Sequence, residues 1–581
     1  MVDTATEPAA AAPPARPRRL DARVPAVLGL YLLASLALNH RVVGHLGSAS
    51  TGRIQSDAGL FTWWLGWASF SLTHGLNPLY STWMNYPAGV NAMWNTAVPV
   101  LGMLFAPVTL AFGALVAYNV AMILGPVASG FALLLAARPY VPRLWPRAVA
   151  GLAYGFSPFM VAHAAVGHLN LVWMVLPPAL LAAVHAILLR EQPRPLRAGV
   201  LLGVVFAGQT LLYTQTVALG AVALVVTAAV LAARWPGRAR ERARQVGLAA
   251  AGCAVTYAVL CAYPLYLILA GPSRPRVPIR EPGEYVTDLA NLVVPTEVTW
   301  WRPFAPAAGQ LRGYYGEQGG YLGIPLLAVL VLTMLLCRRP AVRVTASVGA
   351  LLVLLSLGPH LVLLGRDTGV PGPWLVVSWL PLVHQAEPMR MQAFVALCVA
   401  LLLAYWLDRL GGFRPAWVRA GCGVLTALAL LSWLPSDALR TVPISVPAAF
   451  TGDALRPGDV VESYPAATGA WETGGAALQW QAAAGMRYRL TSGYFIGSDA
   501  ARPLLLESPP SAFRQGVTAL ARGGPPPEPA AARDGLRRSG VTVVAVAGPA
   551  AGNPRVLGWT RLVTGVRGEE ADGAWLFRLP R

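Results

Sequence analysis

The chain has 581 residues, 55% of them apolar and only 12% charged, against roughly a quarter charged in an ordinary soluble domain. With a mean hydropathy of +0.52, this excludes a soluble globular enzyme, a disordered chain and a disulfide scaffold. The net charge of +19 is carried wholly by Arg, since the 45 basic residues include no Lys. The Arg residues recur in short clusters between apolar runs, which is the pattern of cytoplasmic membrane loops and not of a nucleic-acid surface.

Residues 1–23 are rich in Ala and Pro, carry Arg16, Arg18 and Arg19, and read as a disordered cytoplasmic tail. The run 24–43 has no obvious small-x-small cleavage site and is taken as an uncleaved first span. Apolar runs of spanning length follow at 115–137, 147–163, 166–189, 197–213, 214–233, 246–270, 321–337, 342–364, 390–410 and 418–434, about eleven with the first. If each crosses once, the Arg clusters at 138–147, 190–197, 234–244, 338–343 and 409–419 all fall on the side of the tail. That puts the N-terminus in the cytoplasm and the C-terminus outside. The stretch 97–112, holding Pro99 and Pro107, breaks this parity and reads as a re-entrant or incomplete element.

The fold class expected is mainly α. A polytopic transmembrane helix bundle of about eleven spans occupies 24–434, with external loops at 44–96 and 271–320 and a shorter one at 365–389. A small extracytoplasmic α/β domain occupies 435–581. In it 459–464, 541–547 and 575–579 read as strands, and 530–539 as a helix feeding the second of them. This alternation suggests an α/β layer, with Pro525–Pro527 marking a loop. The 5 cysteines, at 253, 261, 337, 398 and 422, lie in or beside apolar runs without a CxxC pair and read as small core residues.

Acidic residues are scarce, so each one counts. Between Asp21 and Glu191 the only carboxylate is Asp57. The residues after it, Phe61-Thr62-Trp63-Trp64-Leu65-Gly66-Trp67, read as an aromatic helix lying in the membrane interface. A lone carboxylate at that level can act as a general base or hold a cation; Ser56 and Asp57 are also good N-caps for this helix. Further along, 74–96 alternates amides, aromatics and turn residues, Asn91 and Trp94 among them. Flat aromatic faces stack on sugar C–H bonds and amides bond hydroxyls, but the same residues suit a tightly turned loop.

The run Ser56-Asp57, Trp63-Trp64-Leu65-Gly66-Trp67, His74-Gly75-Leu76-Asn77-Pro78, Pro87-Ala88-Gly89-Val90-Asn91 and Trp94-Asn95-Thr96 resembles the first external loop of the GT-C superfamily. Those are integral membrane glycosyltransferases, and the local match is to uncharacterised members in high-GC bacteria. The resemblance implies a polyprenyl-phosphate sugar as donor, a saccharide or protein as acceptor, membrane lipid as partner, and a site on the extracytoplasmic side of the cell envelope. No nucleic acid is implied. Asp57 stands where the family has an acidic residue that serves as base toward the acceptor or as metal ligand. Better-known members often have two adjacent acids there; here Ser56 precedes Asp57. No cofactor is assigned, a divalent metal is left open, and no metal ligand is named.

Other polar residues near span ends are natural partners. Glu317, in 313–321, is either a second carboxylate of the site or a charge complementing a helix start. Arg390, in 384–390, is placed to grip a lipid phosphate and to stabilise its departing charge, or else anchors the span by pairing with Glu387. His384 is counted beside it as substrate-binding. His163 and His168 lie five residues apart, which does not put both on one helix face, and no zinc arrangement is read there. His168 remains a polar contact to sugar or to Asp57, or a structural His. Glu281, Glu284, Asp288 and Glu297 read as solvated loop charges.

The expected site is thus Asp57 as catalytic residue, with Arg390, Glu317, His384, Asn91, Trp94 and His168 binding substrate. There is no P-loop, HExxH, GxSxG or nucleotide-sugar DxD motif, which fits a donor delivered through the lipid. The rival reading is a non-enzymatic transporter or flippase of lipid-linked saccharide. Against it, no internal inverted repeat is visible and few charges lie within the spans.

Overall fold

The computed structural model describes residues 22–580 apart from 282, 381, 382 and 438. The expected tail lies outside the described residues except for positions 22 and 23. Among the described residues six helices are long and apolar enough to cross a membrane: Ala114–Ala136, Leu144–Val166, Leu169–Leu189, Thr214–Arg234, Pro236–Leu260 and Pro388–Leu410. The remaining runs form shorter helices, Val24–Leu38, Pro195–Thr210, Ile324–Leu336, Pro340–Ser356 and Ala416–Leu431, of 13 to 17 residues. At 1.5 Å per residue these fall short of the ~30 Å hydrocarbon layer on their own.

Local chemistry moves some boundaries. The strongest Arg cluster does not form a loop: Arg238, Arg240, Arg242 and Arg244 lie in the opening turns of Pro236–Leu260, because Arg is a good helix former. The run 342–364 stops being helical at Ser356. Gly358 then takes a left-handed φ of 86°, and the chain returns as the hairpin His360–Leu363 with Arg366–Pro371. Residues 97–112 form two helices, Pro99–Leu104 and Ala106–Phe112, each too short to cross.

The helix Gln55–Thr73 overturns the interfacial expectation. Trp63, Trp64 and Trp67 are all fully buried. The helix is packed against Pro99–Leu104, Ala114–Ala136 and Ala476–Ala483. A helix that is apolar all round is a buried helix, not one lying flat on a surface. Trp63 Nε1 finds its acceptor in the side chain of Gln481.

The C-terminal segment builds a five-stranded sheet in the order Glu569–Ala571, Ala574–Arg578, Val543–Ala547, Val460–Tyr464, Arg489–Leu490. The three strands and the helix read from the sequence are all present. The central pairing, Val543–Ala547 with Val460–Tyr464, is parallel. Strand alternation sends Val544 and Val546 to one face, under the helices Ala512–Ala521, Pro529–Arg538 and Pro554–Thr564. It sends Val543, Ala545 and Ala547 to the other face, into the same core as Trp63, Trp64 and Trp67. Ala49–Thr51 also pairs with Thr441–Pro443. The segment is therefore continuous with the first loop and is not a detached domain.

Trp63→Ala should destabilise the fold by about 3–5 kcal/mol, the usual cost of emptying a buried aromatic site. A thermal unfolding scan in detergent checks this, and an unchanged midpoint would show that the shared core is not what holds the C-terminal segment.

Candidate active site

Asp57 sits in the first turn of Gln55–Thr73, but the N-cap position is Ile54 and no side chain caps this helix. The carboxylate is thus free of the capping role that its position allowed. Instead its Oδ2 lies 3.2 Å from His168 Nε2, and its Oδ1 accepts from the Tyr494 hydroxyl at 3.0 Å. Tyr494 comes from the hairpin Tyr494–Gly497 with Leu505–Glu507 in the C-terminal segment. Burial, and next the Asp57 charge, hold its hydroxyl far above the usual tyrosine range, so it stays a donor.

The two histidines meet because the helix Pro158–Val166 ends between them. Gly167 adopts a left-handed φ of 90°, and a Cβ there would stand 2.9 Å from the Tyr118 hydroxyl oxygen. The chain reverses, and His163 Nδ1 comes 3.0 Å from His168 Nδ1. The spacing argument made from a continuous helix therefore fails at these residues. With His168 Nε2–H donated to Asp57, His168 Nδ1 is left as the acceptor and His163 Nδ1–H as its donor.

Glu317 is in a short turn, Tyr315–Glu317, well before the helix Ile324–Leu336, so it does not complement that helix start. It is buried, and Arg390 Nη2 donates to its Oε1 at 2.8 Å. Arg390 Nη1 pairs with Glu387 Oε2 at 2.9 Å and also reaches Tyr213 and Gln215. Arg390 thus joins Glu387, the partner read from the sequence, to Glu317, which the sequence did not connect with it. Glu387 is shared with Arg280, whose Nε lies 3.5 Å away.

Asp57, His168, Glu317, Arg390 and Trp94 all line one cavity of about 270 Å³. Two expected residues do not. Asn91 is fully buried, and its side chain is taken up by backbone: it accepts from Met93 N–H at 3.0 Å and donates to the carbonyls of Leu267 and Pro272. Its side chain is thus engaged in holding the turn. His384 is exposed at the surface, and its neighbour Gln385 lines the cavity instead. The cavity also gains Arg280, Tyr285, Tyr314, Trp471 and Tyr494. Tyr314 lay in the 313–321 run, but Tyr494 is 437 positions from Asp57, beyond the reach of any local motif. Asp288, read as a solvated charge, is buried and accepts from the amides of Ala290, Leu364 and Gly365, pinning the second loop to the hairpin.

His163, His168 and Glu317 each offer a ligand atom, all within 4.8 Å of one another. His163 Nε2 and Glu317 Oε2 are buried without a hydrogen-bond partner among the described residues. Two imidazoles and a carboxylate are a fitting donor set for a divalent transition metal, and two of these residues hold an unsatisfied lone pair that such an ion would meet.

The sequence matches a family described as "Domain of unknown function (DUF6311)" over residues 26–380. The chain belongs to this family. All of the cavity lining from Ile54 to Glu317 lies in the matched part, whereas Arg390, Trp471 and Tyr494 follow it. No curated protein matches this DUF6311 member. Among solved structures it is similar to the archaeal oligosaccharyltransferase AglB from Archaeoglobus fulgidus in complex with an inhibitory peptide and a dolichol-phosphate. That likeness has 13% identity and a TM-score of 0.47, and covers 90% of this chain and 69% of that one. It is also similar to the arabinofuranosyltransferase AftD from Mycobacteria, with 17% identity and a TM-score of 0.47, over 97% of this chain and 42% of that one.

Removing Arg390 leaves Glu317 as an uncompensated buried charge. Arg390→Ala should cost about 3–5 kcal/mol, whereas Glu317→Gln combined with Arg390→Met should cost less than the single change. Paired thermal midpoints decide this; equal losses would show that the ion pair does not govern the site's stability.

Proposed function

We propose that this protein is a membrane glycosyltransferase that moves a sugar from a polyprenyl-phosphate donor to an acceptor hydroxyl on the extracytoplasmic face. The observation that carries the reading is Asp57, a carboxylate oriented by His168 and Tyr494 in a cavity whose walls combine aromatic rings, amides and two Arg residues. Such walls suit a sugar: rings cover its C–H faces and amides meet its hydroxyls. In this reading the shorter helices cross as well, making eleven spans, with the C-terminal segment outside.

A second observation supports a lipid-linked donor. An apolar groove of about 170 Å³ runs between Leu176–Val184, Thr214–Arg234, Pro340–Ser356 and Gln392–Leu410. The helix Thr214–Arg234 lines it with Ala223, Leu224, Thr227 and Leu231, and lines the polar cavity with Thr214 and Gln215 at its other end. One helix thus runs beside both a place for a hydrocarbon chain and a place for its polar head.

In the reaction, Asp57 takes the proton of the acceptor hydroxyl as that oxygen bonds to the anomeric carbon. The bond from that carbon to the phosphate oxygen breaks, and polyprenyl phosphate leaves with the electron pair. His168 and Tyr494 hold the carboxylate in place. Arg390 and Arg280 supply the positive charge of the cavity. His163, His168 and Glu317 would hold a divalent cation, which when bound supplies Lewis-acid neutralisation of phosphate charge. Inversion at the anomeric carbon is carried by the resemblance to the GT-C superfamily.

Asp57→Asn should lower transfer from a radiolabelled polyprenyl-phosphate sugar by about 100-fold or more, with unchanged elution of the purified protein. Undiminished transfer would sink the assignment. Movement of lipid-linked saccharide across proteoliposomes, with no transfer by the unaltered protein, would favour the transporter. Separately, protein incubated with Mn²⁺ or Zn²⁺ and desalted should retain a stoichiometric ion, and His163→Phe should lose it; elemental analysis reads this directly, and equal retention would remove these residues as ligands.

A further inference from the structure

A second cavity backs onto the first. It has a volume of about 340 Å³, and its polar lining includes Arg53, Arg302, Arg440, Glu297, Asp437 and Tyr315. The two cavities share a wall: Arg53 and Tyr315 face the second, while Asp57 and Tyr314 face the first.

Their charges are opposite. The first is lined by Asp57, Glu317 and Glu387 against Arg280 and Arg390, one negative charge in excess when the histidines are neutral. In the second, each carboxylate already has a cation. Glu297 pairs with Arg53 at 2.9 Å, and Asp437 pairs with Arg41, from outside the lining, at 2.5 Å. Arg302 and Arg440 make no side-chain hydrogen bond or ion pair among the described residues. The second cavity therefore holds two uncompensated guanidinium groups, which draw an anion.

Its position identifies the anion. Trp300 N–H donates to the Leu434 carbonyl at 3.0 Å, and Ser436 N–H to the Val298 carbonyl at 2.9 Å. Trp300 Nε1 donates to the Leu431 carbonyl at 2.6 Å. These bonds tie the lining to the end of the helix Ala416–Leu431. Around it Trp300, Trp301, Phe304, Leu431 and Leu434 are exposed. Arg41 comes just after the end of Val24–Leu38. Exposed Trp at the ends of apolar helices marks the membrane–water interface, and Arg at that depth meets lipid phosphate through paired N–H donors.

We propose that this cavity binds the phosphate of an anionic phospholipid headgroup, gripped by Arg302 and Arg440, with the lipid tails lying along the exposed Trp300 and Trp301. The site does not depend on the transferase reading.

The test is native mass spectrometry of the full chain released from detergent micelles containing phosphatidylglycerol, with phosphatidylcholine and inorganic phosphate as separate arms. The unaltered protein should hold one more phosphatidylglycerol than Arg302→Gln combined with Arg440→Gln, and the variant's affinity for that lipid should fall at least tenfold. The Arg clusters elsewhere are common to both proteins and cancel in the difference. Arg302→Lys with Arg440→Lys should keep most of the binding, and an unchanged thermal midpoint of the Gln variant without lipid shows that it folds. Equal phosphatidylglycerol counts in protein and variant overturn the proposal. So does equal retention of phosphatidylcholine, which would make the contact merely apolar. So does displacement of the lipid by millimolar inorganic phosphate, which would make the ligand a free anion.

Discussion

The organising constraint is that a carboxylate cannot stay charged inside a protein without a partner. Glu317 is essentially sealed from solvent, and Arg390 lies beside it, also buried. Each ion alone carries a desolvation penalty of several kcal/mol. The pair can exist only if the second loop, which brings Glu317, and the span beginning at Pro388, which brings Arg390, hold one fixed relation. Gln215 and Tyr213, at the start of Thr214–Arg234, close on the same guanidinium. Three separate stretches of chain thus converge on one positive charge, and the cavity is the space left beside it.

Asp57 is handled differently. It keeps some exposure to the cavity, and its partners are hydrogen-bond donors, not a fixed cation. A carboxylate held by a tyrosine hydroxyl and an imidazole keeps lone pairs available to a third group. A carboxylate locked to an arginine, as Glu317 is, has one oxygen neutralised. The two acids therefore have separate chemical characters, one suited to accepting a proton and the other to holding positive charge in place.

Much of this could be read along the chain, for physical reasons that differ by residue. Apolar runs announce helices because the hydrocarbon layer demands them, and each such run is helical over at least part of its length. The strand at 541–547 stood out because a strand buried on both faces is near-continuously apolar, whereas the one at 459–464 carries Asp459, Glu462 and Ser463. Asp57 stood out by scarcity alone. What failed were inferences that needed a partner. Trp63 and Trp67 looked interfacial because nothing in the local sequence shows that Ala476–Ala483 packs over them. His163 and His168 looked separated because the spacing argument assumed a helix that Gly167 ends. Asn91 looked like a sugar ligand because an amide that serves backbone carbonyls is written with the same letter as one that serves a hydroxyl.

What the sequence does not show is how far the C-terminal segment enters the site. By composition it separates cleanly from the helical region, and composition is what a reader sees first. In space it supplies Tyr494, Phe495, Ile496, Leu506 and Trp471 to the cavity wall, and its sheet shares a core with the helix that bears Asp57. The Trp471 carbonyl accepts from the Gln55 amide, two residues before Asp57. At Gly59 a Cβ would stand 2.6 Å from the Gly475 Cα, so the two backbones touch. A chain ending near residue 434 would therefore lose part of the site itself. It would expose Trp63, Trp64 and Trp67, remove one of the two donors that fix Asp57, and leave the acid on a helix with no second side.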